Sequence, residues 1–532
     1  AFLTWLQTTK RRWLVILDDV TDPQDLARWW PISHVGTGWA LATSRRSDEV
    51  LFAAGRRRVD IDVYSPPEAV AYMRERFGDS ARGDLLGEEL PTLVKTLGYL
   101  PLALSHAAAF MISQRMSTRT YLDLFRTEGQ RLEQLMPGNP EDLTSSSATI
   151  TITLLLTFAA APIDSAEGKR LREAAAFAAV LDPNGHPTAL WTTESADKYF
   201  SSDPKDSVPV DHSHHLMLLE RFGLVTIDGD AEPQTARMHA LTARAIREHF
   251  ELEAIAMATQ AAADAIANLW SELDDPTGNT VALLRSNVSV ITRHEASTGY
   301  ALWREPERAI GIFRRAIQSW VTAGQYAEAI QHARRMITQA EHLFASEHSA
   351  MVVARIELVD ALRAAGRLTD AVALAEDVVS GLSDDIDVTI ALEAKNGLVV
   401  AWRQVGRGAE ATALGEEVVA GRRARLGRRN SHTLASQNNL AVAYWSMGRV
   451  KEAIKLHQYV LKARKKKLGV DHADTLESRN NLAVALWQDG RTADAMRLGQ
   501  EVFEARARIL GPSHPRTLES QQNLASYLLD AG

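Results

Sequence analysis

From about residue 309 onward, apolar positions recur at helical spacing and are interrupted at regular intervals by a glycine. Those followed by arginine or glutamine stand at Gly324, Gly366, Gly406, Gly448 and Gly490, and Gly532 continues the series, at spacings of 42, 40, 42, 42 and 42 residues. Five residues after each complete turn comes an alanine: Ala329, Ala371, Ala411, Ala453 and Ala495. Eight residues before it comes Leu358, Leu398, Leu440, Leu482 or Leu524, with Ala316 in the first unit. The last three units also share Leu426-Gly427, Leu468-Gly469 and Leu510-Gly511. Each unit predicts two amphipathic helices joined at a glycine in the left-handed conformation that ends a helix. The alanine lets the pair approach closely. No pair can bury its own apolar stripe, so neighbours are expected to stack into a superhelix.

The N-terminal half has no such period. Trp13 to Leu17 is a continuous apolar run ending in Asp18-Asp19, which predicts a strand buried on both faces of a parallel sheet. Asp22 and Pro23, supported by Asp25, predict a helix start. Gly38 to Ala42 predicts a second strand, followed by Thr43, Ser44 and Arg45. Neighbouring strand ends in an open α/β sheet are where ligands bind, and two carboxylates with an arginine suit a magnesium ion and a phosphate group. The uncharged stretch from Ala148 to Ile163 carries four threonines and falls short of the ~20 residues of a spanning helix, so it predicts a buried element.

Composition narrows the classes. With 532 residues the chain has room for three or four domains, and 45% hydrophobic residues supply their cores. The net charge of −8 gives no overall attraction to nucleic acid or anionic membrane. Cysteine is absent, which excludes disulfides, thiolate catalysis and cysteine-ligated zinc; with no leader-like segment, a cytoplasmic protein is expected. His212, His214 and His215 beside Asp211 predict solvated histidines opening the helical run Leu216 to Leu219, in preference to a metal site. No Gly-x-Ser-x-Gly elbow exists to expose a nucleophile. Arg422, Arg464 and Arg506, with Lys465, Lys466 and Lys467 nearby, predict cations complementing helix C-termini. A nucleic-acid surface would need stacking aromatics among them, and none interleave. The chain opens at Ala1 without methionine and stops at a turn glycine, so a fragment of a longer protein is expected.

The repeat units resemble the tetratricopeptide repeat, in the 42-residue variety of kinesin light chains and bacterial signalling proteins. Asn438-Asn439-Leu440-Ala441 and Asn480-Asn481-Leu482-Ala483 carry the likeness, with His472-Ala473-Asp474-Thr475-Leu476 and His514-Pro515-Arg516-Thr517-Leu518. The resemblance implies a concave groove lined by first helices, in which Asn439, Asn481 and Asn523, beside Asn438 and Asn480, bond the backbone of a bound protein or peptide. Trp445 and Trp487 would add apolar contact. Alternatively, the asparagines only satisfy the neighbouring helix and the tryptophans are core. Gly397 and Glu357 break the amide row in earlier repeats, which places the best groove near the C-terminus.

Upstream, the order Leu17-Asp18-Asp19-Val20, then Ala42-Thr43-Ser44-Arg45, then Gly98-Tyr99-Leu100-Pro101-Leu102-Ala103-Leu104 resembles NB-ARC domains, members of the STAND class of P-loop NTPases. Leu218-Leu219, Gly223-Leu224-Val225 and Arg237-Met238-His239-Ala240-Leu241 resemble their winged-helix domain and methionine-histidine motif. The resemblance implies that Asp18 holds magnesium, Asp19 polarises the attacking water, Arg45 senses the terminal phosphate, Pro101 packs beside adenine and His239 contacts a diphosphate. Ala240 stands where the family has aspartate. A phosphate loop, Gly-x-x-x-x-Gly-Lys-Ser/Thr, is missing: the Gly168-Lys169 pair is followed by Arg170, with Ile163 in place of the first glycine. ADP or ATP with Mg2+ is therefore expected in a complete protein, while this chain is expected to bind none and to hydrolyse no ATP.

The expected architecture is multidomain and mainly α. It comprises a truncated α/β P-loop NTPase core (1–63), a helical domain (64–140), a winged helix (141–250), a helical connector (251–308) and an α-solenoid of tetratricopeptide helix pairs (309–532). The solenoid would hold five complete repeats and a truncated sixth. The leading expectation is a STAND-type signal-transduction regulator whose repeats sense a protein or peptide and whose activation involves possible self-association. The alternatives are a non-enzymatic interaction scaffold with a degenerate nucleotide core and a transcriptional regulator with an upstream DNA-binding domain.

Overall fold

The structure is a computed structural model. It describes residues 2–17, 20, 30–43, 56–57, 59, 63–78, 83–135, 146–160, 165–201, 213–271, 278–293, 299–346, 348–512 and 514–530. The chain is mainly helical, and its C-terminal part is a solenoid of helix pairs.

At the N-terminus, β1 (Trp13–Leu17) and β2 (Gly38–Ala42) pair in parallel, Trp13 opposite Gly38 and Leu17 opposite Ala42, so their carboxyl ends lie side by side. The apolar run predicts a strand covered on both faces, and here the structure differs. Leu14 and Ile16 are 61% and 57% exposed, and Trp39 and Leu41 on β2 are 78% and 51% exposed. Among the described residues this sheet has two strands, and nothing packs over that face. The predicted helix start at Asp22 lies outside the described residues.

Next comes a helical bundle. Helix Pro66–Phe77 opens with a capping box, in which Ser65 N donates to Glu68 Oε2 at 2.8 Å, and a proline follows in the first turn. Its buried Met73 and Phe77 share a core with Leu93 and Leu97 near helix Leu90–Thr96 and with Leu104 and Phe110 of helix Pro101–Gln114. Helix Ser146–Ala160 contacts Pro101–Gln114, Thr118–Leu135 and Ala240–His249, so the apolar threonine-containing stretch is a buried bridge between two units. No helix among the described residues is long and apolar enough to cross a membrane.

The second unit carries a three-stranded antiparallel sheet in the order β3 (His186–Pro187), β5 (Thr235–Arg237), β4 (Thr226–Asp228). In the same unit helix Ala166–Ala179 packs against helices Glu194–Phe200, Ser213–Arg221 and Ala240–His249. Gly223 has φ +68°, and a Cβ there would lie 2.7 Å from the Ala109 methyl, so a glycine is needed to seat this unit against helix Pro101–Gln114. His214 is exposed, as predicted, but His215 is buried and stacks on Phe200 with ring centroids 4.2 Å apart. It faces the apolar side of its helix, so the expectation of a solvated histidine is corrected. His212 lies outside the described residues.

Helices Leu252–Ser271 and Asn279–Arg293 join this unit to the repeats. Buried Asn287 accepts from Asp182 N at 2.8 Å and donates to Gly185 O at 3.1 Å, tying the connector to the loop before β3. One buried apolar cluster runs without a break from Ala69 to Ala371, into the second repeat.

The repeats are helix pairs Pro306–Thr322 with Tyr326–Leu343, Ser349–Ala364 with Leu368–Ser380, Val388–Gln404 with Gly408–Leu426, Ser431–Ser446 with Val450–Leu468, and Ala473–Gln488 with Thr492–Leu510. Pro515–Asp530 is a further first helix. The turn glycines have φ between +73° and +83°, and the residue after each donates to the carbonyl five residues earlier, as Arg449 N does to Tyr444 O at 2.9 Å. This closure satisfies carbonyls that the helix end would leave orphaned. All five turn alanines are fully buried. Ala453→Leu is expected to cost about 1–3 kcal/mol by overpacking, read as a lower urea midpoint at unchanged slope.

Successive first helices touch one another directly, a contact that successive second helices do not make to a comparable extent. The first helices therefore occupy the shorter, inner side of the curve. Adjacent repeats are also stapled on the edge. Glu376 accepts from Trp402 Nε1 at 2.8 Å and Arg407 at 2.6 Å, and Glu416 accepts from Tyr444 Oη at 2.9 Å and Arg449 at 3.3 Å.

Candidate functional site

The inner face is built from equivalent positions on first helices. Nine residues before the turn stand Asn439 and Asn481, with Asn523 continuing the row, all partly buried. Asn439 Nδ2 donates to Asn396 at 3.4 Å, Asn481 to Asn438 at 3.5 Å and Asn523 to Asn480 at 3.2 Å. Each amide thus reaches back one repeat and spends one of its two N–H groups there. The carbonyl oxygens and second N–H groups of Asn439, Asn481 and Asn523 remain for another partner. Asn438 and Asn480 are only 4% and 5% exposed and serve as acceptors beneath this row.

Trp445 and Trp487, three residues before their turns, are partly buried against the last repeats' apolar cluster. Trp487 Nε1 donates to Asp530 at 2.7 Å, and the Trp445 Nε1 is buried without a hydrogen-bond partner. Val442 and Val484 lie between the asparagine and tryptophan positions and are partly exposed.

Earlier repeats replace amides by charges on the same face. Arg314 pairs with buried Glu357 at 2.5 Å and with Glu393 at 3.3 Å, linking three successive first helices. Burial raises Glu357 to about 7, Arg314 working against that rise. Arg363 pairs with Asp360 and donates from Nε to Gln404 at 2.9 Å. Sequence reading registered Glu357 only as a break in the amide row; its partner Arg314 lies 43 residues away on the preceding first helix.

The arginine row near second-helix ends has a different role from the dipole complement expected of it. Arg422, Arg464 and Arg506 are 5%, 5% and 3% exposed. Arg464 Nη1 donates to Asp474 O at 2.9 Å and Ser478 Oγ at 2.8 Å. Arg422 and Arg506 do the same with His432 O and Ser436 Oγ, and with Arg516 O and Ser520 Oγ. These guanidiniums cross-link each second helix to the next repeat's first helix, and their burial withdraws them from any nucleic-acid surface. The serines recurring 14 residues after each arginine were the signal in the sequence.

At the other end, Asp18, Asp19 and Arg45 lie outside the described residues. Pro101 is exposed in the first turn of its helix. His239 caps helix Ala240–His249, its Nδ1 accepting from Leu241 N at 3.2 Å. Burial lowers its pKa, so the ring is neutral at pH 7 and carries its proton on Nε2, which can donate. Buried His106 of the Pro101 helix, held at about 4 by burial and then by His239, meets Thr242 Oγ1 at 3.4 Å. The structure thus brings the Pro101 helix against the His239 segment. The same Nδ1 cap recurs at His348, His472 and His514, so helix capping alone accounts for the His239 geometry. Gly168-Lys169 sits inside the first turn of a helix capped by Ser165 and forms no phosphate loop. Among the described residues no three His, Asp or Glu side chains are grouped to hold a metal ion.

Family models described as tetratricopeptide repeat match residues 432–508 and 474–532, and another of that description matches 392–432. Residues 392–532 are tetratricopeptide repeats. A curated relative, a nucleotide-binding leucine-rich repeat (NLR)-like protein of Hyaloscypha variabilis, is 24% identical over 155 residues covering 26% of this chain. The chain spans 15% of that relative's length. Among solved structures, the kinesin light chain TPR-like repeats of Podosopora anserina are 29% identical, with 38% of this chain and 97% of that one covered and a TM-score of 0.32. A Pyrococcus horikoshii STAND protein with a tetratricopeptide repeat sensor is 14% identical, with 97% of this chain and 71% of that one covered and a TM-score of 0.38. The stretch from 392 to 532 is thus similar to tetratricopeptide repeats.

Proposed function

We propose that the inner face of the last repeats binds an extended segment of a partner protein, as the sensor of a STAND-type regulator. The observation that carries this reading is the row Asn439, Asn481 and Asn523, whose unspent amide groups repeat along one face at the repeat spacing. An extended backbone offers alternating N–H and C=O groups, which such amides can bond without regard to side chains. The two partly exposed valines supply apolar contact beside them.

The N-terminal half would belong to an ADP/ATP-dependent switch. The helix-strand order around β3, β4 and β5 supports the winged-helix reading, and the His239 Nε2–H has the right chemistry for a diphosphate oxygen. ADP or ATP with Mg2+ would supply the two states; for regulation, ligand and nucleotide must each prefer one conformation. The capping account of His239 favours a second reading, a repeat scaffold with a degenerate core. Titrating the chain with ADP and Mg2+ in a calorimeter is expected to give no heat of binding.

A dodecapeptide display library panned against the chain tests the groove. Selected peptides are expected to bind Asn481→Ala about tenfold more weakly, the worth of one or two backbone hydrogen bonds, with the circular-dichroism melt retained. Equal affinities for wild type and variant would remove the groove from consideration.

A further inference from the structure

Three residues before the turn, successive first helices carry Arg363, Arg403, Trp445 and Trp487. Arg363 is satisfied by Asp360 and Gln404, and Trp487 by Asp530. Arg403 stands apart. Its side chain is partly buried, its Nε is fully buried without a hydrogen-bond partner, and among the described residues it makes no ion pair. Burial and then the like charge of Arg363 disfavour its cationic form, and Glu477, two first helices further on, favours it from beyond ion-pair distance. Arg403 stands on the first helix Val388–Gln404 at the position that carries Trp445 and Trp487 on the following first helices, which puts it on the inner face. A guanidinium does not shed its proton near neutral pH, so the buried, unpartnered Nε–H of Arg403 gains from an anion that meets it.

We infer that Arg403 is the seat of a carboxylate in the bound segment, with Val442 and Trp445 of the next repeat receiving an apolar side chain two or three residues away. The inference rests on the peptide-groove reading above. Neighbouring helices lie about 8–10 Å apart and an extended chain advances about 3.3 Å per residue, which sets that separation. A carboxylate is favoured over a phosphate because Arg403 offers one positive charge with the Glu477 carboxylate already acting on it, and a dianion would leave a charge unmatched.

The peptides selected by display supply the probe. Wild-type chain is expected to enrich Asp or Glu at one position, with a Val, Leu, Ile or Phe two or three residues from it. For a synthetic peptide of that sequence, Asp→Asn is expected to lower affinity at least tenfold on wild type and to change it less than twofold on Arg403→Met. Arg403→Lys should recover part of the discrimination, and raising salt should erode it only where the cation is present. Phosphoserine in place of the Asp is expected to bind more weakly; tighter binding overturns the carboxylate assignment. Peptides that need Asn481 yet carry no acidic preference overturn the inference and leave the groove standing. A selection that yields no peptide sensitive to Asn481→Ala overturns both.

Discussion

Arg464→Ala is expected to lower the stability of the fourth-to-fifth repeat interface by about 2–4 kcal/mol. The guanidinium is buried, and its Nη1 feeds both the Asp474 carbonyl and the Ser478 hydroxyl. Truncation orphans two acceptors in a water-poor site and leaves a cavity where the side chain lay. Because a repeat array is held by nearest-neighbour interfaces, the damage stays local. Amides of Ala473–Gln488 and of the helices beyond should exchange on the order of 100-fold faster, while those of the first two repeats keep their protection. Arg464→Met, which restores volume without donors, should recover the cavity part alone. Unchanged exchange beyond residue 473 in both variants would mean that the clamp carries no energy.

The second large effect is a pH dependence from Glu357. Burial raises its folded-state pKa from the ordinary 4.5 to about 7. Below the lower value both folded and unfolded chains hold the proton, and the stability contributed by the buried neutral acid is fully present. As pH rises towards about 7 the unfolded chain releases its proton first, so this stability is lost, by roughly 3 kcal/mol at about 1.4 kcal/mol per unit. Glu357→Gln keeps a hydrogen-bond acceptor for Arg314, which retains Glu393 as its charge partner at 3.3 Å. Thermal melts at pH 5 and pH 8 should therefore differ more in wild type than in the variant, with the variant gaining at pH 8. Identical pH profiles would show that Glu357 titrates as an ordinary carboxylate.

The period of glycine, alanine and leucine made the helix pairs legible because each residue meets a local demand: a left-handed turn, a close approach, a buried stripe. Nothing local marks which side chains meet across repeats. Arg464 was readable as a cation at a helix end, but its burial depends on the next repeat offering Ser478 and a carbonyl at the right height. Glu357 read as a defect in an amide row and is one of two carboxylates, with Glu393, paired to Arg314. The asparagine row lies on first helices, and each of its amides donates to an asparagine of the previous repeat, the neighbouring-helix bonding that the sequence reading held as the alternative. In the N-terminal half the strands were legible from their apolar runs. The exposure of Leu14 and Trp39 was not, since burial belongs to the layers around a sheet and not to the strand itself.

The unbroken core from Ala69 to Ala371 also limits how this molecule can move. With the first repeats sharing side-chain packing with the N-terminal half, and Asn287 pinning the connector to the loop before β3, the solenoid is mounted like a beam in masonry. It cannot swivel on a flexible joint; any reorientation has to proceed by sliding of packed helices, in steps of about 1–2 Å at each interface. Small slips of that kind accumulate along a spiral. A grip on the far repeats would reach the base as torque, and a displacement at the base would be magnified at the tip.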